Sequence, residues 1–424
     1  MIVAVDAALD VVSGSGAERG IAALVDALNR LPAEDSYLVV TSPLAPQWVA
    51  AHTGHRARIV VAPHSFADPT SVRWLRLRAR VRTLAGSLLP TARRLTRFAP
   101  ASRGVPSPLS DPFFKSLGAQ VVHFPFQQYV RTGLPCIFEP MDLQHRHLPE
   151  LLTASELARR EATYTVACDE ADAVVAPSHW ERRDLIAELG LPPAKVYTIL
   201  RPVPTALAEP PSETFCRAVR KRFSLPESFL LYPAHTWAHK NHLRLLEAVA
   251  QARRTTSVAI VCSGTQTEHF AAIKQRLKEL DLEEAVRFVG HVTAMEVRAL
   301  YRLARGLIFP SLHEGASFPL LEAFADDLAV ASSESGGLRE IAADAAVLFD
   351  ATSVNSIADA MVSIWTDAGL RERLIRKGRL RLVHFDPVVS ARTYRALYRS
   401  LAGHAISADD SELLEAARPV DRTV

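Results

Sequence analysis

Cysteine is scarce in this chain: Cys136, Cys168, Cys216 and Cys262 lie far apart among 424 residues, with no CxxC pair and no histidine at zinc-finger spacing. That argues against a disulfide framework and a structural zinc site, and it fits a reducing cytoplasm. Long apolar runs are lacking too. None reaches the roughly 18 residues of a membrane span, and the start "MIVAVDAALD" carries Asp6 and no basic n-region, so neither an integral membrane protein nor a secretory leader is expected. Nor is there an excess of one charge: 49 Lys and Arg against 46 Asp and Glu leave +3, too little to imply nucleic acid as a partner. A Walker A sequence is absent, so "DEAD" at 169–172 does not indicate a helicase.

Apolar residues at 48% and charged residues at 22% describe an ordinary globular chain, long enough for two domains and a cleft. Short β-branched or aromatic runs alternate with helical patterns: "IVAV", "YLVV", "RIVVA", "VVHFPF", "AVVAPS" and "KVYTIL", then "FLLYPA", "SVAIVCSG", "VRFVGH", "GLIFPS" and "AVLFD". Such alternation predicts parallel sheets covered by helices, in two α/β units. "RPVPTALAEPPSETF" at 201–215, with four prolines, reads as the linker, and the boundary falls near Pro204. The polar residues from Ile406 onward read as a flexible tail, 406–424.

Ligands of doubly wound sheets bind beyond the carboxyl ends of the strands. After the first strand, Gly14, Gly16 and Gly20 surround a loop entering a helix, which reads either as an ordinary strand-to-helix turn or as a place where the backbone can approach a ligand. Their spacing is not the dinucleotide fingerprint, so a nicotinamide cofactor is disfavoured. "HTWAHKNH" places His235, His239, Lys240 and His242 at a helix start. A lysine there opposes the helix dipole and points to a bound anion; the histidines read as solvated, since no carboxylate at matching spacing supports a metal. In "HEGASFPLLEAF", Pro319 suits the first helical turn and Ser317 is placed to cap it. Glu314 then lies in the loop and Glu322 about one turn into the helix, with the amides of Ala316, Ser317 and Phe318 between them. Carboxylates beside free amides suit a polyhydroxylated ligand that carries negative charge.

"EGASFPLLEAFA" followed by "SESGGLREI" resembles the retaining glycosyltransferases of family 4, whose motif is a glutamate, seven residues and a second glutamate. "HKNHLRLLEAVA", "VRFVGHV", "LARGLIFPSLHEG", "ADAVVAPSHWERRDLI" and "DLQHRHLPE" extend the resemblance over residues 1 to 405. It implies an α/β GT-B fold: two Rossmann-like doubly wound domains facing a central cleft, an acceptor-binding one at 1–204 and a nucleotide-sugar-binding one at 205–384, with a helix at 385–405 returning to the first. It further implies a metal-independent enzyme without a cofactor, of hexosyltransferase type, that moves a sugar from a nucleoside diphosphate sugar to a hydroxyl acceptor. Lys240 matches the lysine that neutralises the diphosphate, Glu322 the ribose ligand, Glu314 the glutamate near the reacting carbon, Gly315 to Phe318 the loop facing the sugar, and Gly16 the first-domain glycine beside the diphosphate. His291 and Val292 lie where backbone groups contact the base.

Departures from the family pattern are specific. His235 stands where many members have an arginine, Met141-Asp142 where they have His-Asp, and Ser317 where glycine is usual. With Asp142 on the acceptor side, His145 or His147 would have to replace the missing histidine, and the candidate catalytic residues are Glu314, Lys240 and His145. These departures keep a second reading open, a catalytically degenerate protein that binds nucleotide or membrane. Residues 71–98 hold Trp74, Leu77, Val81, Leu84 and Leu88 at helical spacing among arginines. That pattern suits either an anionic membrane at the inner face of the cell or packing on the chain's own sheet.

Overall fold

The computed structural model describes residues 1–8, 16–32, 34–42, 47–50, 52–62, 111–202 and 210–418. Gly14, the basic segment 71–98 and Pro204 lie outside the described residues.

Two parallel sheets organise the chain. The first has the order β3-β2-β1-β4-β5-β6-β7, built from β1 (Ile2–Ala7), β2 (Ser36–Thr41), β3 (Ala57–Val61), β4 (Val121–Phe124), β5 (Cys136–Phe138), β6 (Ala173–Ala176) and β7 (Val196–Thr198). The second has the order β10-β9-β8-β11-β12-β13, built from β8 (Leu230–Pro233), β9 (Ile260–Ser263), β10 (Val286–Gly290), β11 (Gly306–Phe309), β12 (Val330–Ser333) and β13 (Ala346–Phe349). Strands β4, β6, β9, β11 and β12 are buried along their whole length, because helices cover both faces; that is why β6 and β11 read as unbroken apolar runs rather than alternating ones. Strand order reverses between β1 and β4 in one sheet and between β8 and β11 in the other. Each reversal opens a crevice at the carboxyl ends, where the two connecting chains diverge.

Helix Pro387–Leu401 returns from the second domain to the first, burying Ala391, Tyr394, Leu397 and Tyr398 against the core that contains Val3, Val5 and Val121. A buried polar network fixes its position. His123 Nε2 lies 2.8 Å from Glu139, Tyr394 donates to the same carboxylate at 2.6 Å, and His123 Nδ1 lies 2.8 Å from the Tyr398 hydroxyl.

The flexible tail read for 406–424 is corrected by a further helix, Ala408–Ala416, capped by Ser407. Asp410, 2% exposed, pairs with Arg392 and Arg395 at 2.9 and 2.8 Å, Leu414 and Ala417 join the first-domain core, and Thr198 N donates to Ala417 O at 2.7 Å. Its few apolar residues gave too weak a periodicity to be recognised.

Candidate active site

The carboxyl ends of the two sheets face each other across a cavity of about 290 Å³. From the first domain it is lined by Gly16, Arg19, Asp142 and Arg201, and from the second by His235, Lys240, His291, Val292 and Glu314 through Phe318. The structure thus brings most of the sequence-predicted residues to one place, and leaves His145, His147 and Glu322 off its wall.

Lys240 owes its position to a tight turn. After β8 the chain forms a single 3-10 turn, Ala238–Lys240, and Asn241 adopts φ +63°, a left-handed conformation that asparagine tolerates. The Asn241 amide donates to Pro310 O at 3.0 Å and Ala351 O at 2.8 Å, and Tyr232 donates its hydroxyl to Lys240 O at 2.6 Å. Helix His242–Ala252 starts only beyond that turn. The Lys240 ammonium lies 5.7 Å from the Phe309 ring centre and donates to the Glu314 carboxylate, which also accepts the Ser311 hydroxyl.

The loop after Glu314 packs directly against the first domain. A Cβ on Gly315 would lie 2.4 Å from Met141 O and 2.9 Å from Glu181 Oε2, so only glycine fits. Ser178 donates to Gly315 O at 2.8 Å, and Met141, at φ +79°, holds an uncommon backbone conformation on the opposite wall. Nearby, Glu340 of the second domain accepts the amides of His179 and Trp180 at 2.9 and 2.7 Å, closing the amino end of the first-domain helix His179–Leu189. Helix Phe318–Ala325 begins with Pro319 in its first turn, as the sequence predicts. Ser317 does not cap it: its hydroxyl is buried and makes no hydrogen bond. No Ser317 cap therefore occupies the first-turn N–H groups of Phe318 and Leu320, Pro319 having none.

Several expectations change. Glu322 is 4% exposed and sits behind Arg19, which donates to its carboxylate at 2.8 and 3.1 Å, while Tyr301 donates at 2.9 Å. The histidines of "HTWAHKNH" are not solvated. Packing at the junction of β8 and its helix buries His242 to 1% exposure against Tyr232, and desolvation followed by its cationic neighbours pushes its pKa down to about 3. His235 accepts the Thr265 amide at Nδ1 (2.9 Å), and burial, then Lys240, lower its pKa to about 4. It is a neutral acceptor, so it neither replaces an arginine nor confers a charge switch near neutral pH.

His145 cannot serve as a catalytic group at this cavity: it is fully buried, edge-on to Tyr164 at 4.8 Å, with Nε2 3.3 Å from Glu161. Its backbone belongs to the predicted loop, but the short helix Gln144–His147 turns its side chain into the core. His147 pairs with Asp184 at 2.8 Å and stacks on His313 at 4.8 Å, outside the cavity wall. Asp142 does face the cavity and accepts the Gln144 amide at 3.2 Å.

Arg19 and Arg201 escaped the sequence reading. A charged residue directly after the glycine loop was a usable signal for Arg19; Arg201 lay in the proline-rich stretch taken for a linker. Among the described residues, no helix is long and apolar enough to cross a membrane.

Residues 219–381, within the second domain, match the family model described as Glycosyl transferases group 1. Curated relatives include O-antigen chain mannosyltransferase B of Escherichia coli, 24% identical over 54% of this chain and 61% of its own length. Another is the D-inositol 3-phosphate glycosyltransferase of Kineococcus radiotolerans, 30% identical over 45% of this chain and 46% of its own length. The chain thus spans less than two thirds of these relatives. Among solved structures, Anabaena HepE in complex with UDP and glucose superposes with a TM-score of 0.67 at 14% identity, covering 94% of this chain and 100% of that one. WaaG, a glycosyltransferase involved in lipopolysaccharide biosynthesis, gives 0.64 at 14% identity, covering 95% and 100%. The fold is GT-B, two Rossmann-like domains across a cleft.

Proposed function

We propose that the chain is a retaining, metal-independent glycosyltransferase of group 1 that moves a hexosyl group from a nucleoside diphosphate sugar to a hydroxyl acceptor. The observation that carries this reading is the Lys240–Glu314 pair on the cavity wall beside the loop Gly315 to Phe318. A polyhydroxylated donor offers each of these groups a partner: sugar hydroxyls donate to Glu314, and diphosphate oxygens accept from Lys240 and from amides at the start of helix 318–325.

In the transfer the anomeric carbon loses its bond to the diphosphate oxygen and gains one to the acceptor oxygen. Positive charge develops on the sugar and negative charge on the leaving diphosphate, so a fixed ammonium and fixed amides stabilise the transition state more than the ground state. Retention follows if the acceptor attacks from the face the diphosphate leaves, with the departing phosphate oxygen taking the acceptor's proton. No covalent carboxylate nucleophile is then needed, and Glu314 and Glu322 are not a glycosidase pair. Asp142, which lines the cavity from the first domain, is the candidate on the acceptor side.

The test is to incubate the full chain with uridine, guanosine and adenosine diphosphate sugars, following thermal stabilisation and release of the nucleoside diphosphate. One donor class should raise the melting temperature, and Lys240→Met and Glu314→Gln should abolish turnover. Nucleotide binding without turnover on any acceptor would favour the degenerate reading. Segment 71–98 is the candidate for contact with an anionic membrane, and its deletion should abolish sedimentation with anionic vesicles while leaving donor binding intact.

A further inference from the structure

The cations of this cavity are not equally committed. Lys240 is paired with Glu314, and Arg19 with Glu322. Arg201 lines the same cavity and has no carboxylate within salt-bridge distance among the described residues. Its guanidinium lies against the Met141 sulfur and 5.4 Å from the centre of the Phe318 ring. A thioether is a weak acceptor and a ring face offers only a cation–π contact, so most of the five guanidinium donors lack a strong partner.

The first domain gives up a side chain to seat this arginine. Gly20 lies inside helix Gly16–Arg30, where a glycine costs helix stability relative to alanine. A Cβ there would stand 2.8 Å from Arg201 Nη1 and 3.6 Å from the Phe318 ring. The opposite wall supplies further unmet donors. Ser317, 3% exposed and lining the cavity, has a hydroxyl without a partner, and helix 318–325 presents its first-turn amides beside Phe318. His235, neutral and held by Thr265, adds no charge. Among the described residues, Lys240 is then the one Lys or Arg that the second domain brings to the cavity wall, whereas a diphosphate carries at least two negative charges.

We infer that Arg201 binds a phosphate group in this cavity, reaching from the first domain to an oxyanion held on the other side by the start of helix 318–325. Its planar fork suits two oxygens of one phosphate, and its position between Gly20 and Phe318 couples that contact to both domains. The inference deepens the reading of the cleft as a nucleotide-sugar site and rests on it only for the source of the phosphate: the donor's diphosphate or a phosphate carried by the acceptor.

The experiment measures binding of pyrophosphate, orthophosphate, inositol phosphate, the nucleoside diphosphates and the matching nucleosides to the full chain by calorimetry. Arg201→Met keeps the contacts with Met141 and Phe318 and removes the charge; Arg201→Lys restores the charge without the fork. We expect Arg201→Met to weaken phosphate-bearing ligands roughly ten- to hundredfold, as for lost charged hydrogen bonds, and to leave nucleoside affinity unchanged, with Arg201→Lys in between. Gly20→Ala, which displaces the guanidinium, should weaken the same ligands and serves as the second variant if Arg201→Met folds poorly. Loss confined to pyrophosphate and nucleoside diphosphates assigns the donor as the source; loss confined to orthophosphate and inositol phosphate assigns the acceptor. Unchanged binding of every phosphate ligand in both variants, or no phosphate binding by the wild type, overturns the inference. Arg201-dependent phosphate binding without affinity for any nucleoside diphosphate would sink the donor reading and leave the inference standing.

Discussion

Replacing Arg19 by methionine should destabilise the protein and, at the same time, uncover Glu322. The guanidinium crosses from the first domain to a carboxylate in the second, with contacts of 2.8 and 3.1 Å, and the two side chains are 33% and 6% exposed. At charge centres about 4 Å apart and an effective dielectric near 20, the attraction is about 4 kcal/mol, and desolvation takes back a large part. A net coupling of about 2 kcal/mol is within the range for residues in direct contact. The single substitution costs more than the coupling, about 3 kcal/mol, because Glu322 keeps only the Tyr301 hydroxyl as partner.

For a domain of this size that corresponds to a fall in melting temperature of roughly 6–12 °C. The assay is a double-mutant cycle of Arg19→Met and Glu322→Gln by thermal and denaturant unfolding. Arg217→Met serves as control, since its pair with Glu213 is exposed at 71% and 91% and should contribute nothing measurable. A coupling below about 0.5 kcal/mol would refute the reasoning. The same variant tests the ribose role. Arg19 stands between Glu322 and the cavity, so its removal should tighten nucleoside binding by up to about 30-fold, the equivalent of about 2 kcal/mol. Weaker nucleoside binding in Arg19→Met would mean that Glu322 does not receive the ribose.

Three further outcomes follow from separate parts of the molecule. Burial raises the pKa of Asp6 from 3.8 to about 6, so the folded state binds more protons than the unfolded state between those values, and stability falls as pH rises through that window. Asp6→Asn, which still accepts the Ala8 amide, should leave stability unchanged near pH 3.5 and raise it by about 3 kcal/mol at pH 8; denaturant melts at the two pH values check this, and equal effects at both would contradict it. Gly315→Ala forces a Cβ against Met141 O and should reduce transfer more than a hundredfold by separating the loop from the first domain, with kinetics on the preferred donor as the readout. Asp410→Ala strands Arg395, leaves Arg392 only Asp409 at 3.8 Å, and should cost about 3 kcal/mol, seen as a lowered denaturation midpoint and as proteolysis within 403–418.

The strands were legible because a parallel strand covered on both faces is mostly apolar, and "GLIFPS" or "AVVAPS" has few other uses in a globular chain. Lys240 was legible for a different reason: a cation at a helix start opposes the helix dipole, so a bound anion was the simplest explanation, and Glu314 was legible from its place in the loop ahead of free helix amides. His145 shows the limit of that approach. Sequence proximity placed it beside Asp142, but a single turn of helix decides which way a side chain points, and here it points at Tyr164 and Glu161. Arg19 and Arg201 act through partners in the other domain, Glu322 and Phe318, and no local pattern records a pairing across some hundred residues or more. The helix 408–416 was missed because its docking depends on one buried aspartate between two arginines rather than on an apolar stripe.

The two ion pairs also balance the charge that the fold concentrates at this cavity. Lys240 and Glu314 are only 16% and 13% exposed, so either one left alone would carry a large desolvation penalty. In the proposed reaction a donor must therefore offer replacements for both at once: diphosphate oxygens to accept from Lys240, and sugar hydroxyls to donate to Glu314. A nucleoside diphosphate without its sugar takes the lysine and leaves the carboxylate with Ser311 alone. A free sugar satisfies the carboxylate but gives the ammonium no anion. The pair thus acts as a joint test for the intact donor, and the energy that selects it comes from exchanging one internal partner for two external ones. Gly315 keeps the two halves of that exchange next to the first domain, because no side chain fits between its backbone and Met141.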